Sequence, residues 1–335
     1  MPAHSAAHAS TPVTPHRLSV DGIRAACRDI DPAFLDTPQF HAPALSERLG
    51  CAITLKDETV NPLGCFKGRG AECLLARSAR RGESDALVCA SAGNFGLAMA
   101  RACAIRSRAL TVFVSRHASP VKVEGIRRHG ARVIVEGEDF DAAKCAARIW
   151  ARSQSLAFIE DGAEVDISEG AGTVAHELLS EGTAFDAILV PLGNGALLAG
   201  MARYVKSVSP GTEMIGVCSA GAPVMHDCWK RGVADDEAAA AHAMSIADGI
   251  AVRVPVAAAV LDLQGIVDDV VLVEDAELLA AMRSIRAHAG ILVEPSGAAG
   301  LAAIAADPSR FAGRQVATVL TGANLTRDQV RRWLA

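Results

Sequence analysis

Aromatic residues are scarce: nine Phe, three Trp and one Tyr make up 4% of the 335-residue chain. The core must therefore be built from Ala, Val, Leu and Ile. No apolar run approaches the roughly 18 residues that a membrane helix needs. No basic stripe stands out and the net charge is −5, which argues against a nucleic-acid partner. The nine cysteines are odd in number, scattered in spacing and free of any CxxC pair. A disulfide framework or zinc site is not expected; reduced thiols in a cytoplasm are. The opening stretch "MPAHSAAHASTPVTPH" lacks the basic start and apolar core of a signal peptide. Residues 1–20 read instead as a disordered tail.

What is present is the composition of a globular protein, 50% hydrophobic and 21% charged. The length fits one large α/β domain or two domains. Short β-branched runs alternate with long Ala-rich amphipathic stretches. The strand candidates are 86–90, 110–114, 132–136, 186–191, 213–218 and 316–321. Such alternation predicts the α/β class, with two doubly wound parallel-sheet domains and a ligand cleft between them. The Gly-rich "EDGAEVDISEGAG" (160–172) reads as a break between the two sets. The Ala-rich 232–244 reads as an exposed loop or helix without chemistry.

Ligands of open parallel sheets bind beyond the carboxyl ends of the strands. Three glycine-bearing turns fall there: "SAGNFG" (91–96), "PLGNGALLAG" (191–200) and "LTGAN" (320–324). In the second, Gly193 and Gly195 let the backbone wrap an anion at a helix N-terminus, or they merely turn the chain. No Gly-Lys-Ser/Thr follows, so it is not a Walker loop. Gly200 falls too late for the dinucleotide fingerprint. "SAGNFG" is a plain turn with Ser91 as a helix cap, or a cradle for a carboxylate. Lys67, in "NPLGCFKGRGA" (61–71), follows apolar Cys65 and Phe66. Partial desolvation disfavours an ammonium and makes the amine usable as a nucleophile, although most lysines are simply solvated.

Together with "ADGIAV" (247–252) and "EPSGAAG" (294–300), these motifs follow in one order from about residue 30 onward. The chain resembles the fold-type II pyridoxal-phosphate enzymes, the family of threonine and serine dehydratases, threonine synthase and the tryptophan synthase β subunit. The resemblance implies pyridoxal 5'-phosphate as cofactor, held by Lys67 as a Schiff base. Phe66 precedes that lysine as in the family. Asn94 matches the asparagine on the cofactor phenolic oxygen. Ser91, Ala92 and Gly93 match the loop that grips the substrate carboxylate. Gly193, Asn194, Gly195, Ala196 and Leu197 match the phosphate loop. Thr321 matches the hydroxyl residue facing the pyridine nitrogen, where a neutral partner makes a weaker electron sink than an aspartate would. The glycines around Lys67 read as clearance for a planar cofactor and as helix entry. The implied domains are 21–68 with 168–335, binding the cofactor, and a small α/β domain at 69–167.

"ADGIAV" and "EGAGTVAHEL" (169–178) resemble the dehydratases; "NPLGCFKGRG" and the "GNG" loop resemble threonine synthase. Ala92 stands where serine racemase has an acid-bearing serine, which weighs against racemisation. The chain ends soon after Thr321, so no C-terminal regulatory domain is expected. Phe95 replaces a histidine common in dehydratases and makes that side of the pocket more apolar. Ser219-Ala220-Gly221 replaces the glutamate of a divalent-cation site, so no metal is expected. The implied activity is that of an ammonia-lyase (dehydratase). It would convert a β-hydroxy amino acid such as L-threonine, L-serine or a larger 3-hydroxy amino acid to a 2-keto acid and ammonia. Lys67 would remove the α-proton. The alternatives are a threonine-synthase-like or β-replacement enzyme, with Lys56 and Arg69 available for a substrate phosphate, and a catalytically silent binding protein on the same fold. Relatives imply a cytoplasmic homodimer.

Overall fold

The computed structural model describes residues 16–83, 86–234 and 243–334. Two sheets carry the described chain. The larger has the order β1-β2-β10-β7-β8-β9: Gln39–His41, Ala52–Asp57, Gln315–Leu320, Ala187–Pro191, Glu213–Ser219 and Asp269–Val273. The smaller has the order β5-β4-β3-β6: Arg132–Val135, Ala109–Val114, Ala86–Ala90 and Ala157–Ile159. All pairings are parallel except β1 with β2. This is the expected α/β architecture. β7 is buried at every residue, which explains its unbroken apolar sequence: a parallel strand covered on both faces needs no polar alternation. The strands β1, β2, β6 and β9 are not among the sequence candidates, although β9 carries the apolar run 270–273.

Two expectations are corrected. The stretch 160–172 is not a break, because the helix Val165–Leu178 begins inside it. Its glycines are close-packing sites. A Cβ on Gly170 would lie 2.7 Å from the Arg69 carbonyl oxygen, and one on Gly172 would lie 2.9 Å from that of Gly200. The Val165 helix thus touches two others through backbone, Lys67–Arg80 on one side and Ala196–Val208 on the other. Each interior glycine costs a helix about 1 kcal/mol in propensity; the close approach of three helices offsets it. The tail expectation fails at residues 16–20. Leu18 is fully buried, Arg17 pairs with Asp262 at 2.5 Å, and Ser19 caps the helix Val20–Ala26. Residues 1–15 lie outside the described residues, as do 235–242 of the Ala-rich stretch.

Among the described residues no helix is long and apolar enough to cross a membrane. All nine cysteines are free, and seven of them are buried.

Candidate active site

Asn61 shapes the approach to Lys67. Its side-chain oxygen accepts the Leu63 and Cys65 N–H groups at 3.0 and 3.3 Å, and its amide donates to the Glu58 and Cys65 carbonyls. Gly64 closes this turn at φ +61°. The turn delivers Phe66 to the end of β10, where its N–H bonds the Thr321 carbonyl at 3.1 Å. Lys67 then opens the Lys67–Arg80 helix. The flanking glycines serve packing, not cofactor clearance. A Cβ on Gly68 would meet the Phe34 ring at 2.2 Å, and one on Gly70 would meet the Ile167 carbonyl at 2.8 Å.

Lys67 enters a cavity of about 910 Å³. Its side chain keeps 19% exposure, with Nζ 4.5 Å from the Phe66 ring centroid and 2.5 Å from Asp161 Oδ2. The other Asp161 oxygen is buried without a hydrogen-bond partner. Every site residue expected from the sequence lines this one cavity: Phe66, Lys67, Ser91, Ala92, Gly93, Asn94, Gly193, Asn194, Gly195, Ala196, Leu197 and Thr321. They come from both sheets: residues 91–94, 193–197 and 321 follow β3, β7 and β10, and Phe66 and Lys67 end the turn after β2.

Two helices start at the cavity from a glycine, without a side-chain cap. Asn94–Ile105 follows Gly93, and Ala196–Val208 follows Gly195. Their first-turn N–H groups have no intrahelical acceptor and present positive dipole ends, the donor set an anion needs. Ser91 is not a helix cap. Its hydroxyl accepts the Gly93 N–H at 3.1 Å and closes the turn before the helix. In the second loop, Gly195 has φ +95° and Gly193 has the Gly249 carbonyl 2.4 Å from where its Cβ would be. Neither position tolerates a side chain.

Sequence reading missed the groups that hold these residues in place. Asn94 donates to Glu294 at 2.8 Å and accepts from Asn324 at 2.7 Å. Burial, with Asp248 nearby, pushes the Glu294 carboxyl up to about 7. Asp161 was visible only as part of a Gly-rich stretch; nothing in its local pattern marks it. Two ion pairs span the cavity lining, Lys122 with Asp248 at 2.6 Å and Arg253 with Asp141 at 2.6 Å.

The cations considered for a substrate phosphate are committed elsewhere. Arg69 is fully buried, bidentate on Glu58 at 2.8 Å, and also bonded to Glu177. Lys56 bonds Glu177 at 2.6 Å. Burial opposes the Arg69 charge, yet Glu58 and Glu177 outweigh it and hold its pKa above the ordinary arginine value. Two cations and two carboxylates balance beneath the Lys67 helix, outside the cavity lining. Among the described residues no group of three or more His, Cys, Asp or Glu has a metal-binding arrangement.

The sequence profile described as "Pyridoxal-phosphate dependent enzyme" matches residues 30–322. The chain belongs to this family. It is 32% identical over 297 residues to an L-threonine dehydratase of Pasteurella multocida, covering 88% of this chain but only 57% of that protein. It is 32% identical over 289 residues to an L-threonine ammonia-lyase of Geobacter sulfurreducens, covering 86% of this chain and 71% of that one. The fold superposes with a TM-score of 0.83 on the processed threonine deaminase isoform 2 of Solanum lycopersicum, at 25% identity and over 96% and 97% of the two chains. The residues present fit the family's cofactor: a lysine amine, an uncapped glycine-lined helix start for a phosphate, and a hydroxyl residue share one cavity.

Proposed function

We propose that this pyridoxal-phosphate enzyme is an ammonia-lyase. It eliminates water from a β-hydroxy amino acid such as L-threonine, L-serine or a larger 3-hydroxy amino acid, and the product hydrolyses to a 2-keto acid and ammonia. The observation that carries this reading is the Lys67 amine opening into the same cavity as two uncapped helix starts. One helix start suits a phosphate and the other a carboxylate, so one bound molecule of each kind meets at Lys67.

When bound, the cofactor supplies an electron-withdrawing ring that acidifies the substrate α-carbon. Lys67 holds the cofactor and then takes the α-proton. The backbone donors of Gly193, Asn194, Gly195, Ala196 and Leu197 hold the phosphate. The Ser91, Ala92 and Gly93 turn holds the substrate carboxylate. Asn94, oriented by Glu294 and Asn324, has a second amide hydrogen left for the phenolic oxygen. Thr321, which lines the cavity, would meet the pyridine nitrogen without fixing a charge there, and Phe66 packs beside the lysine.

A threonine-synthase-like reaction is the weaker reading, because Lys56 and Arg69 are buried in their own ion-pair network. Lys122 and Arg253, which do line the cavity, are paired with aspartates. Nine free thiols support a reducing compartment, the cytoplasm. The homodimer belongs to the same reading and is measured by light scattering.

The test is a keto-acid assay of the holoenzyme with L-threonine, L-serine and L-threo-phenylserine. Keto acid from at least one is expected. Phosphate release from O-phosphohomoserine, with no keto acid from any of the three, would replace the lyase reading by the synthase one.

A further inference from the structure

We infer that Asp161 is a catalytic residue that carries the proton from Lys67 to the departing β-hydroxyl. The inference rests on the proposed elimination of water. That reaction has one particular proton need: hydroxide is a poor leaving group until it is protonated, whereas the α-proton on the base can also leave through the cavity. A group that touches the base and also lines the cavity meets that need.

Asp161 has that position. Its Oδ2 lies 2.5 Å from Lys67 Nζ, and Lys67 is its ion-pair partner. Its Oδ1 is buried with no hydrogen-bond partner, an arrangement that a purely structural carboxylate avoids. The side chain is 7% exposed, so bulk water does not compete for the proton. It also borders a small side cavity, lined by Ser91, Phe95 and Asn194 among others, that adjoins the main one. The neighbouring acid Glu160 is occupied by Lys144 and Arg148, which leaves Asp161 as the acid directed at Lys67. The glycine that follows, Gly162, has φ +87° and passes so near Asn194 that a Cβ would lie 2.0 Å from its carbonyl oxygen. That contact pins Asp161 against the phosphate loop.

The step balances within the pair and the substrate. The Lys67 amine takes the Cα proton and becomes ammonium. The ammonium passes a proton to Asp161 Oδ2. The carboxyl, turning about its Cβ–Cγ bond, delivers that proton to the β-oxygen as the Cβ–O bond breaks. The electron pair of the Cα–H bond becomes the second Cα=Cβ bond, and the Cβ–O pair leaves with the oxygen as water. Lys67 returns to the free amine and Asp161 to the carboxylate.

Asp161→Asn preserves size and a hydrogen bond to Lys67 but cannot carry the proton. Three measurements on the holoenzyme separate the roles. Borohydride should still fix the cofactor on Lys67, which reports folding and loading. In D2O, the variant should still exchange the α-proton of L-serine, followed by NMR. Turnover of L-serine should fall at least about 100-fold, while β-chloro-L-alanine, whose chloride leaves unprotonated, stays within about threefold of wild type. Asp161→Ser, read the same way, serves if the first variant does not fold. Equal losses on both substrates, loss of α-proton exchange, or undiminished serine turnover would each overturn the proposal. A wild-type enzyme that consumes β-chloro-L-alanine but no hydroxy amino acid would instead sink the dehydratase reading itself.

Discussion

The side-chain amide of Asn94 donates to the buried carboxyl of Glu294 at 2.8 Å, joining the end of the small sheet to the loop after the Asp275–Ala289 helix. Burial first, and Asp248 second, raise Glu294 from the ordinary 4.5 to about 7. A carboxyl raised on folding keeps its proton in the folded state after the unfolded chain has released it. Stability should therefore fall as pH rises from about 4.5 to about 7 and level off above, by on the order of 3 kcal/mol from this group. Glu294→Gln should remove that slope. Urea denaturation at pH 5 and pH 8 reads it; an unchanged slope in the variant assigns the pH dependence elsewhere.

Lys67→Ala should abolish keto-acid formation and covalent fixation of the cofactor by borohydride. It should leave the fold intact, since Lys67 stands at the first turn of its helix with part of its side chain in the cavity. Circular dichroism and mass spectrometry after borohydride check both statements. Residual turnover would remove Lys67 from the mechanism.

Arg69→Ala should cost stability, not substrate specificity. It strands Glu58 and Glu177 in the interior with Lys56 as the remaining cation. Losing one partner of a buried pair typically costs about 3–5 kcal/mol. The midpoint of chemical denaturation should drop accordingly. A change confined to KM would mean that Arg69 reaches the substrate after all.

Gly195→Ala should weaken cofactor binding. The residue sits at φ +95°, and a Cβ there would lie 2.7 Å from the Ala259 methyl. Left-handed strain of roughly 1–2 kcal/mol, together with displacement of the helix start, predicts about a tenfold or greater rise in the cofactor dissociation constant. Titration of the cofactor-free protein by absorbance measures it. Gly200→Ala probes a different point: its Cβ would lie 2.0 Å from the Ser168 carbonyl oxygen, so the loss should be of folding.

The strand-end turns were legible because their chemistry is local. Glycines after an apolar run showed the turns holding Asn94 and residues 193–197 locally, but the roles of these residues and of Lys67 came from the family resemblance, not from the local pattern. The α/β class followed from runs such as 86–90, since doubly covered parallel strands must be apolar throughout. Asp161, Glu294 and Asn324 were not legible as site residues. Each matters through a partner at least 90 residues away in the chain: Lys67 for Asp161 and Asn94 for the other two. The Val165 helix was hidden for a related reason. Its glycines look like helix breakers until the neighbouring backbones that they admit are seen.

That helix has one more consequence. Gly70 and Gly170 bring the backbone bearing Lys67 against it, and Gly172 and Gly200 do the same for the backbone that begins at the 193–197 loop. Lys67 and the 193–197 loop are thereby indexed to a common rail through main-chain contacts. Side chains swing between rotamers and drift under substitution; main-chain contacts of this kind do not. The span between the two anchor points works as a fixed gauge, against which the residues of the pocket wall are free to diversify while the grip on the cofactor keeps its length.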